Sequence, residues 1–135
     1  MKQHVFRLHR GNDLYENIQA YCQEQRIRAG YVAACVGCVT KARIRCADGA
    51  TTHELEERLE IVSVTGTISE KRCHLHISFA REDLSVIGGH LMPGCIVNTT
   101  AEIVLGEVDG IIFDKVFDPE TGYHELEIQR IAETT

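Results

Sequence analysis

Three histidines, His74, His76 and His90, are the residues in this sequence whose types and spacing best suit chemistry. His74 and His76 lie two apart in a segment where apolar and polar residues alternate, so the segment is predicted to be a β-strand with both imidazoles on one face. A second apolar run, which leads into Gly88-Gly89-His90, would place His90 beside them if the two runs pair antiparallel. Three converging neutral imidazoles form a metal-ligand set with a fourth position open, as in reactive rather than structural zinc sites. The alternative is three half-buried strand histidines with no shared role.

Two carboxylates are candidates for the catalytic work beside such a metal. Glu102 is predicted to lie on a strand from Cys95 to Val104, where it could carry a proton or act as a fourth ligand. Glu60, in a β-branched stretch from Arg58 to Ile68, is a second candidate for moving a proton. Apart from the divalent metal, with zinc as the expected ion, the sequence indicates no cofactor site.

A basic stripe is predicted on one face of the strand from Val39 to Cys46. Lys41, Arg43 and Arg45 alternate there with less polar residues, which places the three cations on the same side. This stripe is the candidate region for contact with an anion. A solvated strand face explains the same pattern.

The whole chain has the length and composition of a single globular domain, residues 1–135. Its formal net charge of −6 counts against a general phosphate-binding surface. The first ten residues lack the apolar core of a signal peptide, and no apolar run is long enough to span a bilayer. We therefore expect a cytoplasmic protein whose six cysteines are reduced thiols.

The predicted elements are one main helix and about eight or nine strands. Asn12 or Asp13 can cap a helix that runs to about Gln25. Gly37 should form a bulge or bend after a buried strand from Ile27 to Val36, and residues 53–57 are predicted to be an acidic connector. The chain should end in a hairpin with strands Ile112 to Phe117 and Tyr123 to Ile128. This order predicts an α+β fold with a strongly curved, mostly antiparallel sheet.

Taken together, the segments resemble a stand-alone prokaryotic member of the PPC-domain (plants-and-prokaryotes-conserved) family over nearly the whole chain. The resemblance is carried by segments whose order and spacing match: Gly11-Asn12-Asp13-Leu14, Ala34-Cys35-Val36-Gly37, Arg58 to Gly66, His74 to Ser78, Val86 to Leu91, and Thr100 to Ile103. It implies a homotrimer of α+β subunits, and prokaryotic members are commonly described as DNA-binding. The Arg-Gly-Arg-Pro AT-hook through which plant relatives bind DNA does not occur in this sequence.

A more distant likeness concerns the histidines alone. Their H-x-H…H order is similar to the zinc ligands of acetolactate decarboxylase, and only His74, His76 and His90 carry over.

Three functions therefore follow as hypotheses. The first is a homotrimer with a three-histidine divalent-metal site and a small-molecule or enzymatic role. The others are a DNA-associated regulator and a trimeric protein-interaction module with structural histidines.

Overall fold

Nine β-strands and one α-helix are found in the computed structural model, which describes residues 2–131. In chain order they are β1 Lys2–His9, α1 Leu14–Glu24, β2 Gly30–Arg45, β3 Thr52–Leu55, β4 Leu59–Ile68, β5 His74–Ala80, β6 Val86–Leu91, β7 Ile96–Glu107, β8 Ile111–Asp118 and β9 Tyr123–Arg130. The named strands pair antiparallel throughout, and the helix has only 11 residues, so the fold is mostly β. The expected antiparallel sheet with one main helix is confirmed. At 11 residues, that helix is too short to cross a bilayer.

Seven strands form one sheet that curls back on itself. Its order is β1-β7-β2-β4-β5-β6, with β3 beside β2. The far end of β2 also pairs with β6 through Ile44 and Arg45, which links the first and last members of the series β2, β4, β5 and β6. Bulges in the pairing of β2 with β7 bend this long strand. The closure brings Arg45 next to His90 across the β2–β6 pair.

The predictions at Gly37 and at residues 53–57 have different outcomes. The 16-residue strand β2 runs through Gly37, and its pairing with β7 shifts register between Gly37 and Cys38, as expected for a bulge. A Cβ at Gly37 would lie 2.1 Å from the carbonyl oxygen of Thr100, so the glycine serves close approach to β7 rather than chain reversal. Residues 53–57, read as a connector, overlap the short strand β3. The helix cap is as predicted, since the amide of Glu16 donates to Asp13 Oδ1 at 3.0 Å.

The hydrophobic core fixes the direction in which the histidine strand faces. Leu75, Ile77 and Phe79 of β5 are at most 3% exposed and pack in the same core as the buried face of α1. Successive side chains of a strand point to opposite faces, so His74 and His76 project away from the core. Burial of one face therefore determines the orientation of both imidazoles.

The last two strands, β8 and β9, form a hairpin outside the main sheet, as predicted. Backbone hydrogen bonds join it to the body, with the amide of Phe113 donating to the carbonyl of Arg28 at 2.9 Å. Side chains near the start of β5 also hold it: Arg72 Nη1 donates to the carbonyl of His124 at 2.9 Å, and Lys71 Nζ lies 2.9 Å from Asp114 Oδ1. The hairpin consequently forms a second wall beside His74.

Candidate metal centre

Strand register brings the three predicted histidines together. His76 of β5 lies directly opposite His90 of β6, and His74 is two residues away on the same face of β5. The glycines before His90 allow this packing, because a Cβ at Gly89 would lie 2.6 Å from the carbonyl oxygen of Arg45. The antiparallel pairing expected from the sequence is confirmed.

The geometry of the three rings suits a shared ion. Their centroids are separated by 5.2 Å for His74–His76, 5.3 Å for His74–His90 and 5.6 Å for His76–His90. One ring nitrogen from each lies within 4.8 Å of the others. Zinc binds imidazole nitrogen at about 2.0–2.1 Å, so tetrahedral ligands stand roughly 3.4 Å apart, which small side-chain rotations would provide. Within residues 2–131, these three histidines are the group of ligating side chains that could hold a metal ion.

The protonation state of the site also fits a metal. His90 Nδ1 is buried and has no hydrogen-bond partner within residues 2–131, so its lone pair is available to an ion. Burial, followed by the positive charge of Arg45, lowers the pKa of His90 to about 4. Burial and then Arg72 lower the pKa of His74. Both imidazoles are therefore neutral at neutral pH, which is the form that ligates metals.

In metal-free protein we expect His90 to stay neutral until the pH falls to about 4. The sign follows from its surroundings, since burial and a nearby cation both disfavour the charged imidazolium. A titration of the histidine side-chain nitrogens by NMR would measure this directly. A midpoint near 6.5, the ordinary value for imidazole, would contradict the expected environment of His90.

The two predicted carboxylates are placed elsewhere in the sheet. Glu102 on β7 lies opposite Val36 of β2, whereas His90 lies opposite Arg45, nine residues further along β2 and roughly 30 Å away along the strand. Glu60 lies opposite Ala80 and lines a separate cavity of ≈ 380 Å³. The structure thus brings together the three metal-ligand candidates without either catalytic candidate.

Other charged side chains lie beside the histidines instead. Arg45, Arg72, Lys115 and Glu125 line a cavity of ≈ 460 Å³ that also includes His74. Arg45 belongs to the predicted basic stripe, whereas no sequence pattern indicates a role for Lys115 or Glu125, which come from the terminal hairpin. Their position became apparent only from the way the hairpin docks against the start of β5.

Comparison with known proteins identifies related sequences. Residues 1–109 match the family model of the Plants and Prokaryotes Conserved (PCC) domain, the family abbreviated PPC above. A curated relative, the bifunctional protein GlmU of Synechococcus sp. (strain JA-3-3Ab), is 38% identical over 135 residues, which is 100% of this chain and 22% of that protein. The chain therefore spans about a fifth of the length of the curated relatives it matches.

Solved structures share the fold over almost the full chain. A hypothetical protein from Salmonella enterica is 32% identical with a TM-score of 0.92, covering 96% of this chain and 94% of that one. A protein from Archaeoglobus fulgidus described as metal-containing is 30% identical with a TM-score of 0.82, covering 94% of each chain. A protein from Bacteroides thetaiotaomicron described as a candidate DNA-binding protein is 23% identical, with a TM-score of 0.82 and coverage of 93% and 91%.

Proposed function

The chain belongs to the Plants and Prokaryotes Conserved domain family, and we propose that it is a member that binds a divalent metal, zinc in the first instance, through His74, His76 and His90. The observation that carries the proposal is the convergence of one ring nitrogen from each histidine within 4.8 Å. The relative from Archaeoglobus fulgidus, described as metal-containing, supports it. Three imidazole ligands with an open fourth position favour a reactive zinc over a structural one.

The proposed role is chemistry on, or recognition of, a small molecule. A metal held in this way can polarise a ligand oxygen or lower the pKa of a bound water. The chain's own residues position that ion and line the cavity of ≈ 460 Å³ beside it. Glu125 supplies the carboxylate of this cavity and is a better-placed proton carrier than Glu60 or Glu102.

We also propose that the chain assembles as the homotrimer that the family resemblance implies. An apolar row on the outer sheet face supports this: Val5 of β1 lies opposite Val104 of β7, which lies opposite Ala34 of β2. Nearby, Val36 and Val62 are 57% and 55% exposed, and such a patch favours burial against another subunit. Light scattering should give about three times the 15.1 kDa subunit mass. A monomer throughout the micromolar range would contradict the trimer.

DNA association and protein recruitment are the competing functions. The DNA-binding description belongs to a relative of 23% identity, which carries the fold alone. The net charge of −6 offers no general attraction for phosphate. If the trimer recruits a protein partner and its histidines are structural, the purified protein should contain no stoichiometric metal. Metal content therefore distinguishes protein recruitment from the proposed metal-dependent function.

The cellular location stays a prediction. All six cysteines are free thiols in the structure, and four of them, Cys22, Cys35, Cys73 and Cys95, are buried. Reduced cysteines are what a cytoplasmic protein is expected to contain, since disulfides are rare in that compartment. We retain a cytoplasmic location on this ground.

Elemental analysis of protein purified without an affinity tag tests the metal proposal. We expect close to one zinc or other divalent transition metal per chain. A value below about a tenth of an equivalent, unchanged after incubation with excess zinc and removal of the unbound ion, would contradict it.

A further inference from the structure

The basic stripe of β2 contains one cation that differs from the others. Lys41 Nζ lies 4.0 Å from Glu56, and Arg43 Nε lies 3.5 Å from Glu54, so both have acidic partners in the segment that follows. The Nε atoms of Arg43 and Arg45 are both buried without a hydrogen-bond partner within residues 2–131, but of the three cations Arg45 is the one that also has no ion pair there. A buried guanidinium nitrogen without a partner is costly, which indicates a site for an acceptor that the protein itself does not supply.

Two further cations stand beside Arg45. Arg72 and Lys115 line the same cavity of ≈ 460 Å³, together with His74 and the single carboxylate of Glu125. Arg72 Nη1 donates a hydrogen bond to the carbonyl of His124. A guanidinium carries five N–H donors, so this bond uses one of five. A second cavity of ≈ 250 Å³ shares Arg72, Lys115, His74 and Glu125 with the first and also includes Asp114, whose carboxylate lies 2.9 Å from Lys71 Nζ.

Placing these cations next to metal ligands is electrostatically unfavourable by itself. Arg45 lies opposite His90 across the β2–β6 pair and Arg72 lines a cavity with His74, so both positive charges repel a metal cation held by the histidines. An anion between the guanidinium groups and the metal would offset that repulsion. Because the chain as a whole is acidic, a cluster of three cations with one carboxylate is unlike its general surface.

We propose that the cleft between the three histidines and the β8–β9 hairpin binds a small ligand through an oxyanion group, a carboxylate or a phosphate, held by Arg45 and Arg72 with Lys115 at the entrance. This inference rests on the proposed metal site and names the class of molecule presented to it. Guanidinium groups suit the task because their planar fork matches both kinds of oxyanion with two hydrogen bonds. The hairpin, which follows the segment matched by the family model, then sets which anions fit.

Calorimetric titration of succinate and of inorganic phosphate into the full chain tests the proposal. Metal-loaded and metal-free protein are compared, so that loss of the metal site and loss of the anion site give different results. We expect saturable binding of at least one probe to metal-loaded protein, and the tighter probe identifies the oxyanion. Neutral succinamide should not bind. If succinamide binds as well as succinate, or if neither anion binds to protein that carries its metal, the proposal is wrong.

Variants locate the binding to the cleft. Arg45→Gln and Arg72→Gln should each weaken anion binding about 10- to 100-fold while metal content is retained, since a hydrogen bond to a charged group contributes about 1.5–3 kcal/mol. Lys115→Gln should give a smaller loss of anion affinity. Because Lys115 lies on the exposed hairpin, this variant still tests the site if a strand variant misfolds. The matched control is Arg58→Gln, which removes the same charge from a side chain that is 77% exposed beside a different cavity. Equal losses in Arg58→Gln and Arg45→Gln would overturn a specific site.

Discussion

Replacement of any one of His74, His76 and His90 by alanine is expected to remove most of the bound metal. Each imidazole provides one of only three protein ligands, so its loss disrupts both the geometry and the charge donation. The affinity should fall by more than the roughly 10- to 100-fold that removal of an outer-shell partner costs. Competition with a chromophoric chelator measures the affinity, and elemental analysis measures the occupancy.

The matched control is His53→Ala, which removes an exposed histidine on β3 and should leave occupancy unchanged. Double variants should lose little more than single ones, because one missing ligand already destroys the site. Circular dichroism should show an intact fold in each case, since the three side chains lie outside the core. Full occupancy in all three single variants would mean that the histidines are structural; full occupancy in His90→Ala alone would remove β6 from the site.

Gly66→Ala is expected to destabilise the protein by about 1–3 kcal/mol or more, the usual cost of forcing extra volume into a packed region. A Cβ at Gly66 would lie 2.0 Å from the carbonyl oxygen of His74, which no real pair of atoms tolerates. The strands β4 and β5 would have to separate at the residue that presents the first ligand. Metal affinity should therefore fall together with stability.

Denaturant unfolding of metal-free Gly66→Ala gives the stability change without the contribution of bound ion. Glu60→Ala is the control on the same strand; its side chain is exposed, and such changes usually stay within about 0.5 kcal/mol. Glu60→Ala should also retain its metal. An unchanged unfolding midpoint in Gly66→Ala would show that the close approach of β4 and β5 at His74 does not exist in solution.

The metal-ligand set was predictable because its members are close in sequence and obey strand periodicity. Cys73, Leu75 and Ile77 are at most 3% exposed, so the two histidines between them had to share the opposite face. His90 follows in the next strand, and antiparallel neighbours joined by a short turn usually pair. Local pattern was sufficient to place all three rings.

The carboxylates were not predictable in the same way. Strand periodicity gives the face on which Glu102 lies but not which strand stands next to it, and β7 pairs with β1 and β2 rather than with β5. Glu125 lines a cavity together with His74 only because the terminal hairpin docks at the start of β5. Such long-range arrangement depends on the packing of the entire chain.

The basic stripe shows the same limit at a smaller scale. Periodicity makes Lys41, Arg43 and Arg45 equivalent, and a solvated face was a reasonable explanation for all three. Glu54 of the short strand β3 and Glu56 just after it are the acidic partners of Arg43 and Lys41, while closure of β2 onto β6 places Arg45 beside His90. The distinction lies in the closure of the sheet, which the alternation of residues does not encode.

X-ray absorption at the metal edge of untagged wild-type protein tests the central claim most directly. We expect scattering from three imidazole rings bound at about 2.0–2.1 Å, together with one or two further light atoms in the open position. The alternative is coordination of the metal by some of the six cysteines. The spectrum would distinguish it, because thiolate sulfur lies at about 2.3 Å from zinc and scatters strongly. A spectrum dominated by sulfur, or one with no imidazole contribution, would contradict a metal centre built from His74, His76 and His90.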